Sequence, residues 1–115
     1  MDDFGATARR VVIGARNGRD VVRVPTTCLF EIVLLTESGR IVPPAPFPDW
    51  RARLERERGF AIEPLTADDV EEARARPMLR DPSDRLIAGT AARLGVPLLT
   101  KDERIRASGR VRTVW

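Results

Sequence analysis

The chain contains no histidine and no tyrosine, and it has one cysteine among its 115 residues. The lack of histidine excludes histidine general bases, Ser–His–Asp and Cys–His arrangements, and histidine metal sites. A single thiol excludes an internal disulfide and a thiolate zinc cluster, and Cys28 lies in an apolar run where it is most simply a small hydrophobic residue. Polar catalysis by this chain therefore needs carboxylates, acting alone or holding a hard cation such as Mg²⁺ or Mn²⁺.

Long apolar runs are also lacking. The longest, CLFEIVLL, carries a charge and is far too short to cross a bilayer. The charged start, MDDFGATARR, has no apolar core of a signal peptide. We therefore expect a cytoplasmic protein with no membrane partner. The length fits one domain, residues 1–115, and a hydrophobic fraction of 43% is enough to bury a core without disulfides.

The charge is basic, with a net value of +3, and nineteen of the twenty basic residues are arginine. Guanidinium groups bind phosphate in a bidentate way, so this composition is compatible with a nucleic-acid partner. Genome composition and solubility explain the same arginine content equally well. Aromatic residues make up only 5% and form no stacking pattern, which argues against a module that merely binds single strands.

Helical and strand-like segments alternate along the chain. Apolar spacing, proline positions and glycine stops predict helices at 5–17, 26–38, 48–58, 66–76, 81–94 and 101–107, and strands at 20–24, 60–63, 96–100 and 111–115. This alternation predicts an α/β fold with a parallel sheet covered on both faces.

Most of the acidic residues have a structural explanation, because they lie on predicted solvated helix faces or near helix starts. These are Glu55, Glu57, Asp68, Asp69, Glu71 and Glu72.

Three acidic residues do not fit this explanation. Glu31 interrupts a helix that is apolar nearly all round and is therefore expected to be largely buried. A buried carboxylate needs a partner, either a metal ion or an arginine, unless the helix keeps a narrow solvated stripe. Asp84 follows a predicted N-cap, Asp81, and shares a face with inward-facing Ile87, although dipole compensation alone would also explain it.

Asp102 directly follows the predicted strand VPLLT, where parallel sheets collect ligand sites, but a loop or N-cap role is equally open. The hydroxyl of Thr100 is a possible addition to the same site. Three carboxylates from separate segments would need a divalent cation, and such a cation activates water and stabilises charge on a phosphate. With arginines holding a phosphate backbone, the pattern indicates metal-dependent phosphodiester hydrolysis.

Two segments make a more specific resemblance. TTCLFEIVLLTESGRI, together with RDPSDRLIAGTAARLGVPLLTKDERI, resembles the PIN-domain ribonucleases of the VapC toxin type, and the likeness runs from about residue 5 to the end. It implies a Rossmann-like three-layer fold and a Mg²⁺- or Mn²⁺-dependent endoribonuclease acting on RNA. It also implies a toxin that forms homodimers and is inhibited by a cognate antitoxin. By motif position, Glu31, Asp84 and Asp102 would be the catalytic and metal-binding acids, with Asp81, Thr100 and Arg85 as accessory residues.

One departure from the family pattern concerns its first, central strand, which carries a further catalytic aspartate. We expect this strand and the helix after it to be missing here, because Asp2 and Asp3 match the loop that follows them. Two hypotheses follow. Either the start site is placed too late and an in-frame upstream stretch encodes the strand, or the chain is a truncated, inactive remnant that only binds an antitoxin or another copy of itself.

Overall fold

The structure is a computed structural model that describes residues 5–100, 102–109 and 111–115, without the side chains of residues 103 and 104. The chain packs into two compact units. One is Val11–Pro64, and the other combines the chain up to Arg10 with Leu65–Trp115. Each unit contains helices and a pair of parallel strands, so the prediction of a mixed α/β protein with parallel strands is confirmed.

The Val11–Pro64 unit is built around strands β1 (Val22–Pro25) and β2 (Phe60–Glu63), which pair in parallel with Val22 opposite Phe60. Helix α2 (Thr26–Glu37) begins directly at the end of β1, and helix α3 (Phe47–Arg56) precedes β2. The start of α2 is held in place because the Thr26 hydroxyl donates to the Glu63 carbonyl at 3.0 Å. The predicted strand FAIE thus has the predicted bounds, and β1 starts slightly later than expected.

Helix α1 (Ala6–Arg16) lies within the predicted helix at 5–17, and its Ala8 and Ala15 are fully buried. At its end, Gly59 packs against the helix backbone. A β-carbon at Gly59 would overlap the Ala15 carbonyl, and Gly59 also has φ +82°. Both the close approach and the left-handed backbone require glycine at this position.

Helix α2 is less buried than its composition predicted. Among its described residues, Thr27 and Leu29 are buried, whereas 58% of Phe30 and 42% of Leu34 is exposed. Glu31 is only half-buried. The expectation of a largely buried helix is therefore wrong, because an apolar composition allows burial but does not supply a surface that covers every face.

The other unit contains strands β3 (Leu98–Leu99) and β4 (Thr113–Val114), which also pair in parallel. Its helices are α4 (Ala67–Arg74), α5 (Pro82–Leu94) and α6 (Glu103–Ser108). Their core is formed by Leu79, Ala88 and Ile105, with Leu98 and Val111 packed against it.

Helix α5 ends at Leu94 as predicted, whereas α4 begins as predicted but ends at Arg74, two residues before the predicted boundary at 76. Asp81 caps α5, Pro82 opens it, and Gly95 ends it in the left-handed conformation with φ +67°. Thr66 and Asp69 form a reciprocal capping box at the start of α4. Local sequence features therefore predicted where both helices begin and where α5 ends.

The described strands form two two-stranded parallel sheets, β1–β2 and β3–β4. A single sheet and a missing central strand stay predictions, and Asp2 and Asp3 lie outside the described residues. In the part of the chain that the structure describes, no helix has the length and apolarity needed to cross a membrane.

Candidate active site

Glu31 lies in the second turn of α2, half-buried, next to the exposed Phe30. It forms no salt bridge with the described residues, so the arginine pairing considered as an alternative is not seen there. Its carboxylate is thus partly accessible to solvent and to a ligand.

Asp84 lies in the first turn of α5 and is half-buried. Its backbone N–H donates to the Asp81 carboxylate at 3.0 Å, so Asp81 is the residue that caps the helix. Asp81 itself is exposed. The cap and the candidate site acid are therefore separate carboxylates, three residues apart.

Arg85, the accessory residue beside Asp84, is engaged with the helix pair. Its guanidinium donates to the Ala73 carbonyl at the end of α4, at 2.9 Å from Nη2 and 3.3 Å from Nε. The same carbonyl also accepts the backbone N–H of Arg76 at 3.0 Å. The structure thus gives Arg85 a role in joining α5 to α4.

Asp102 lies between β3 and α6 and is half-buried. Its backbone N–H donates to the Thr100 hydroxyl at 3.0 Å, and its carbonyl accepts the N–H of Arg106 at 3.1 Å. Thr100 is held in turn, since its N–H donates to the Val114 carbonyl at 3.1 Å. The strand pair therefore fixes the backbone that carries Asp102 and orients the Thr100 hydroxyl toward it.

The predicted site acids are distributed over both units, with Glu31 in one and Asp84 and Asp102 in the other. Their oxygen ligands are of the kind that Mg²⁺ and Mn²⁺ prefer. Within residues 5–100, 102–109 and 111–115, no group of three or more histidine, cysteine, aspartate or glutamate residues is placed to hold a metal ion. The donor chemistry fits a hard cation, while the described structure does not gather three such ligands.

Sequence reasoning missed a buried ionic network around Asp69. This residue was predicted to lie on a solvated helix face or near a helix start. Its place in the capping box of α4 agrees with the second alternative, but its side chain is fully buried. Its carboxylate accepts hydrogen bonds from the Arg93 guanidinium, from the Thr90 hydroxyl at 2.9 Å and from the Thr66 N–H at 3.1 Å. The spacing of three between Thr90 and Arg93, which places both on one face of α5, is the only signal in the sequence.

The network controls the ionisation of Asp69. Burial disfavours the charged carboxylate and on its own would raise the pKa. Hydrogen bonds from Arg93, from the Thr66 backbone and from Thr90 outweigh burial, so the pKa of Asp69 lies below its ordinary value of 3.8. The carboxylate is therefore ionised at neutral pH, with its charge compensated inside the protein.

An apolar groove of about 480 Å³ lies in the Val11–Pro64 unit between α2, α3 and the end of β2. The one charged pair on its wall is Arg51 with Glu55, whose side chains are 3.5 Å apart. Glu31 does not line it, so the groove is separate from the candidate acid on the same helix. The lining residues are Thr26, Leu29, Phe30, Val33, Phe47, Arg51, Glu55, Ile62 and Pro64.

Comparison with known proteins connects these features to a family. The model of the PIN domain matches residues 2–110. The chain is also 36% identical over 99 residues to Ribonuclease VapC22 from Mycobacterium tuberculosis. The aligned region covers 84% of this chain and 75% of that protein. The match includes all three candidate acids, because they lie between residues 2 and 110.

Proposed function

Because this chain belongs to the PIN-domain family, we propose that it is a metal-dependent endoribonuclease, the toxin of a toxin–antitoxin pair acting in the cytoplasm. The observation that carries the proposal is the family match over residues 2–110 together with the similarity to a ribonuclease. A chain without histidine is consistent with it, because carboxylates and a metal ion perform phosphodiester hydrolysis without an imidazole base.

We assign the site to Glu31, Asp84 and Asp102, which would hold Mg²⁺ or Mn²⁺ when it is bound. The metal would supply an activated water and stabilise charge on the phosphate. The contacts support different roles for two accessory residues: Asp81 positions the first turn that carries Asp84, and Thr100 positions the backbone of Asp102. Arg85 acts through the α4–α5 contact, from which it supports the same first turn.

The test combines metal binding with cleavage. Titration calorimetry with Mn²⁺ on the purified chain should show binding that Asp84→Asn abolishes, and RNA cleavage in Mn²⁺ should be lost with it. Asp68→Asn is the matched control, because Asp68 is an exposed acid in the first turn of α4. Circular dichroism checks that all three proteins are folded. Cleavage that persists in Asp84→Asn would refute the assignment.

We also propose that the fold is a Rossmann-like three-layer arrangement of helices on a parallel sheet. The support is that the described strands pair in parallel, β1 with β2 and β3 with β4. Each of these strands has one open edge, which favours pairing with another strand.

A second candidate is an inactive remnant that binds an antitoxin or another copy of itself. It is favoured by one observation, which is that no three acids in the described part of the chain are placed to hold a metal. The two candidates differ in one measurement. A folded chain that binds its partner but neither binds Mn²⁺ nor cleaves RNA would be the remnant, whereas cleavage abolished by Asp84→Asn would exclude it.

For partners we propose RNA, a cognate antitoxin and a second copy of the chain. The exposed Phe30 and Leu34 on α2 support a protein partner, because large exposed apolar side chains on one helix mark interaction surfaces. Phe30→Ser should weaken copurification with the antitoxin and shift a dimer toward monomer in size-exclusion chromatography. Val42→Ser is the control, since Val42 is 92% exposed and lies away from α2 in sequence. An equal effect of both changes would remove the support.

A further inference from the structure

Four exposed arginines lie where α1 and α3 end in the Val11–Pro64 unit. Arg16 is the last residue of α1, and Arg19 follows in the turn to β1. Arg56 is the last residue of α3, and Arg58 lies just before β2. We call Arg16, Arg19, Arg56 and Arg58 the arginine corner.

The backbone brings these two segments into contact. Gly18 has φ +79°, and a β-carbon there would overlap the Arg58 guanidinium. Gly59 packs against the Ala15 carbonyl at the end of α1 in the same way. The turn after α1 and the turn after α3 are therefore packed together, although some forty residues separate them in the chain.

The four guanidinium groups form no salt bridge and no side-chain hydrogen bond with the described residues. Five arginines elsewhere form ion pairs: Arg23 with Glu63, Arg51 with Glu55, Arg74 with Glu71, Arg76 with Glu72 and Arg93 with Asp69. The corner thus collects positive charge that the protein does not compensate by direct contact.

Helix dipoles explain only part of this charge. A cation in the last turn offsets the partial negative charge of a helix C-terminus, which accounts for Arg16 and Arg56. Arg19 and Arg58 lie beyond the helix ends, where this effect fades. The nearby acids Asp20 and Glu57 leave an excess of two positive charges, and the Asp20 carboxylate lies against the backbone of Gly14.

We propose that the arginine corner binds the phosphate backbone of RNA at a distance from Glu31, the candidate carboxylate of the same unit; the choice of RNA rests on the proposed ribonuclease function. Guanidinium groups bind phosphate through paired hydrogen bonds. The residues between the arginines are Asn17, Gly18 and Glu57, all exposed and none apolar. A protein-binding surface needs an apolar centre, so this composition favours a polyanion over an acidic protein.

The corner also has a definite position relative to α2. It lies at the amino ends of β1 and β2, whereas α2, which carries Glu31, begins at the carboxyl end of β1. A four-residue strand spans about 13 Å, so within this unit the corner is separated by about that length from the start of the helix that carries Glu31. It would therefore contribute to substrate binding and not to the chemical step.

The test is binding of a fluorescein-labelled single-stranded RNA, measured by fluorescence anisotropy in EDTA so that no cleavage occurs. The variant Arg16→Gln/Arg58→Gln is compared with Arg40→Gln/Arg80→Gln, which removes two exposed arginines elsewhere and gives the same net charge. Loss of two phosphate contacts should weaken binding roughly tenfold and lower the slope of log K against log salt by about 1.4. The control should change little in either quantity.

Three results would overturn the proposal: equal losses in both variants, no RNA binding by the unaltered chain, or tighter binding of polyglutamate than of the RNA at the corner. Circular dichroism checks folding. If the first variant does not fold because Arg58 packs on Gly18, Arg16→Gln/Arg19→Gln replaces it in the same measurement. Failure of the ribonuclease proposal is distinguishable, because it would leave corner-dependent RNA binding intact without any cleavage in Mn²⁺.

Discussion

Arg93 on α5 donates to the fully buried carboxylate of Asp69 on α4, and this ion pair joins the two helices. Thr90 and the Thr66 backbone complete the hydrogen bonds of the carboxylate. In the described part of the chain, every buried side-chain nitrogen and oxygen has a partner. The hydrogen bonds of the buried carboxylate are therefore satisfied, and removing one member of the pair would remove the ionic contact between the two helices.

Asp69→Ala should destabilise the protein by about 3 kcal/mol, because it removes the buried carboxylate to which the partly buried Arg93 guanidinium donates. Urea denaturation followed by circular dichroism measures the free energy of unfolding. Glu71→Gln is the control, since it breaks an exposed pair with Arg74 and should leave the urea midpoint unchanged. Similar midpoints for both variants would show that the buried pair contributes little.

The lowered pKa of Asp69 predicts an acid-sensitive stability. The contribution is fully present above the unfolded-state pKa, near 3.8, and is lost as pH falls through the lower folded-state pKa. The urea midpoint of the unaltered protein should thus decrease below about pH 4. In Asp69→Asn the decrease should be smaller, because residue 69 no longer titrates. Urea unfolding curves of both proteins, recorded at about pH 6 and about pH 3, give the midpoints to be compared, because these pH values lie on either side of the ordinary aspartate pKa. An identical decrease in the variant would contradict the prediction.

Gly89→Ala and Gly14→Ala should have opposite consequences for stability, although both replace a glycine inside a helix. A β-carbon at Gly89 would meet the Asp69 carbonyl and lie 3.1 Å from the Ala73 nitrogen, so α4 and α5 would have to separate. We expect a loss of about 1–3 kcal/mol at Gly89. At Gly14 the obstacle is the end of the Asp20 side chain, which can rotate, and the better helix propensity of alanine should make the change neutral or stabilising. Thermal unfolding of both variants provides the measurement.

Asp81→Ala and Asp84→Asn should distinguish the helix-capping role of Asp81 from the proposed metal-binding role of Asp84. Loss of the Asp81 cap should cost about 1 kcal/mol of stability and should lower RNA cleavage per folded molecule only in part, because the cap positions the turn that carries Asp84. Asp84→Asn should leave the cap bond to its backbone N–H intact and abolish Mn²⁺-dependent cleavage. Urea denaturation gives the free energy of unfolding of each variant, and cleavage assays give its RNA cleavage per folded molecule. Equal loss of cleavage would mean that Asp84 acts only through the position of the helix.

The sequence predicted most of the local structure because the interactions involved span only a few residues. The Asp81 cap, the Thr66–Asp69 capping box and the Gly95 terminator each join groups within one helical turn, so their residue types and spacing are sufficient. The alternation of strands and helices likewise predicted parallel strand pairs. The sequence also indicated Glu31, Asp84 and Asp102 as candidate site residues. That these three carboxylates bind one metal ion together stays a prediction.

Tertiary structure decided the features that depend on residues far apart in the chain. The buried Asp69 carboxylate has its countercharge on Arg93, twenty-four residues later. The residues next to Asp69 in the sequence do not predict this pairing. Phe30 is exposed because no described element covers its face of α2, although the helix composition permits burial. The arginine corner exists because Gly18 and Gly59 allow two turns to pack together. Local hydrogen-bond partners are encoded by spacing, whereas burial and clustering of charge depend on which distant segments pack together.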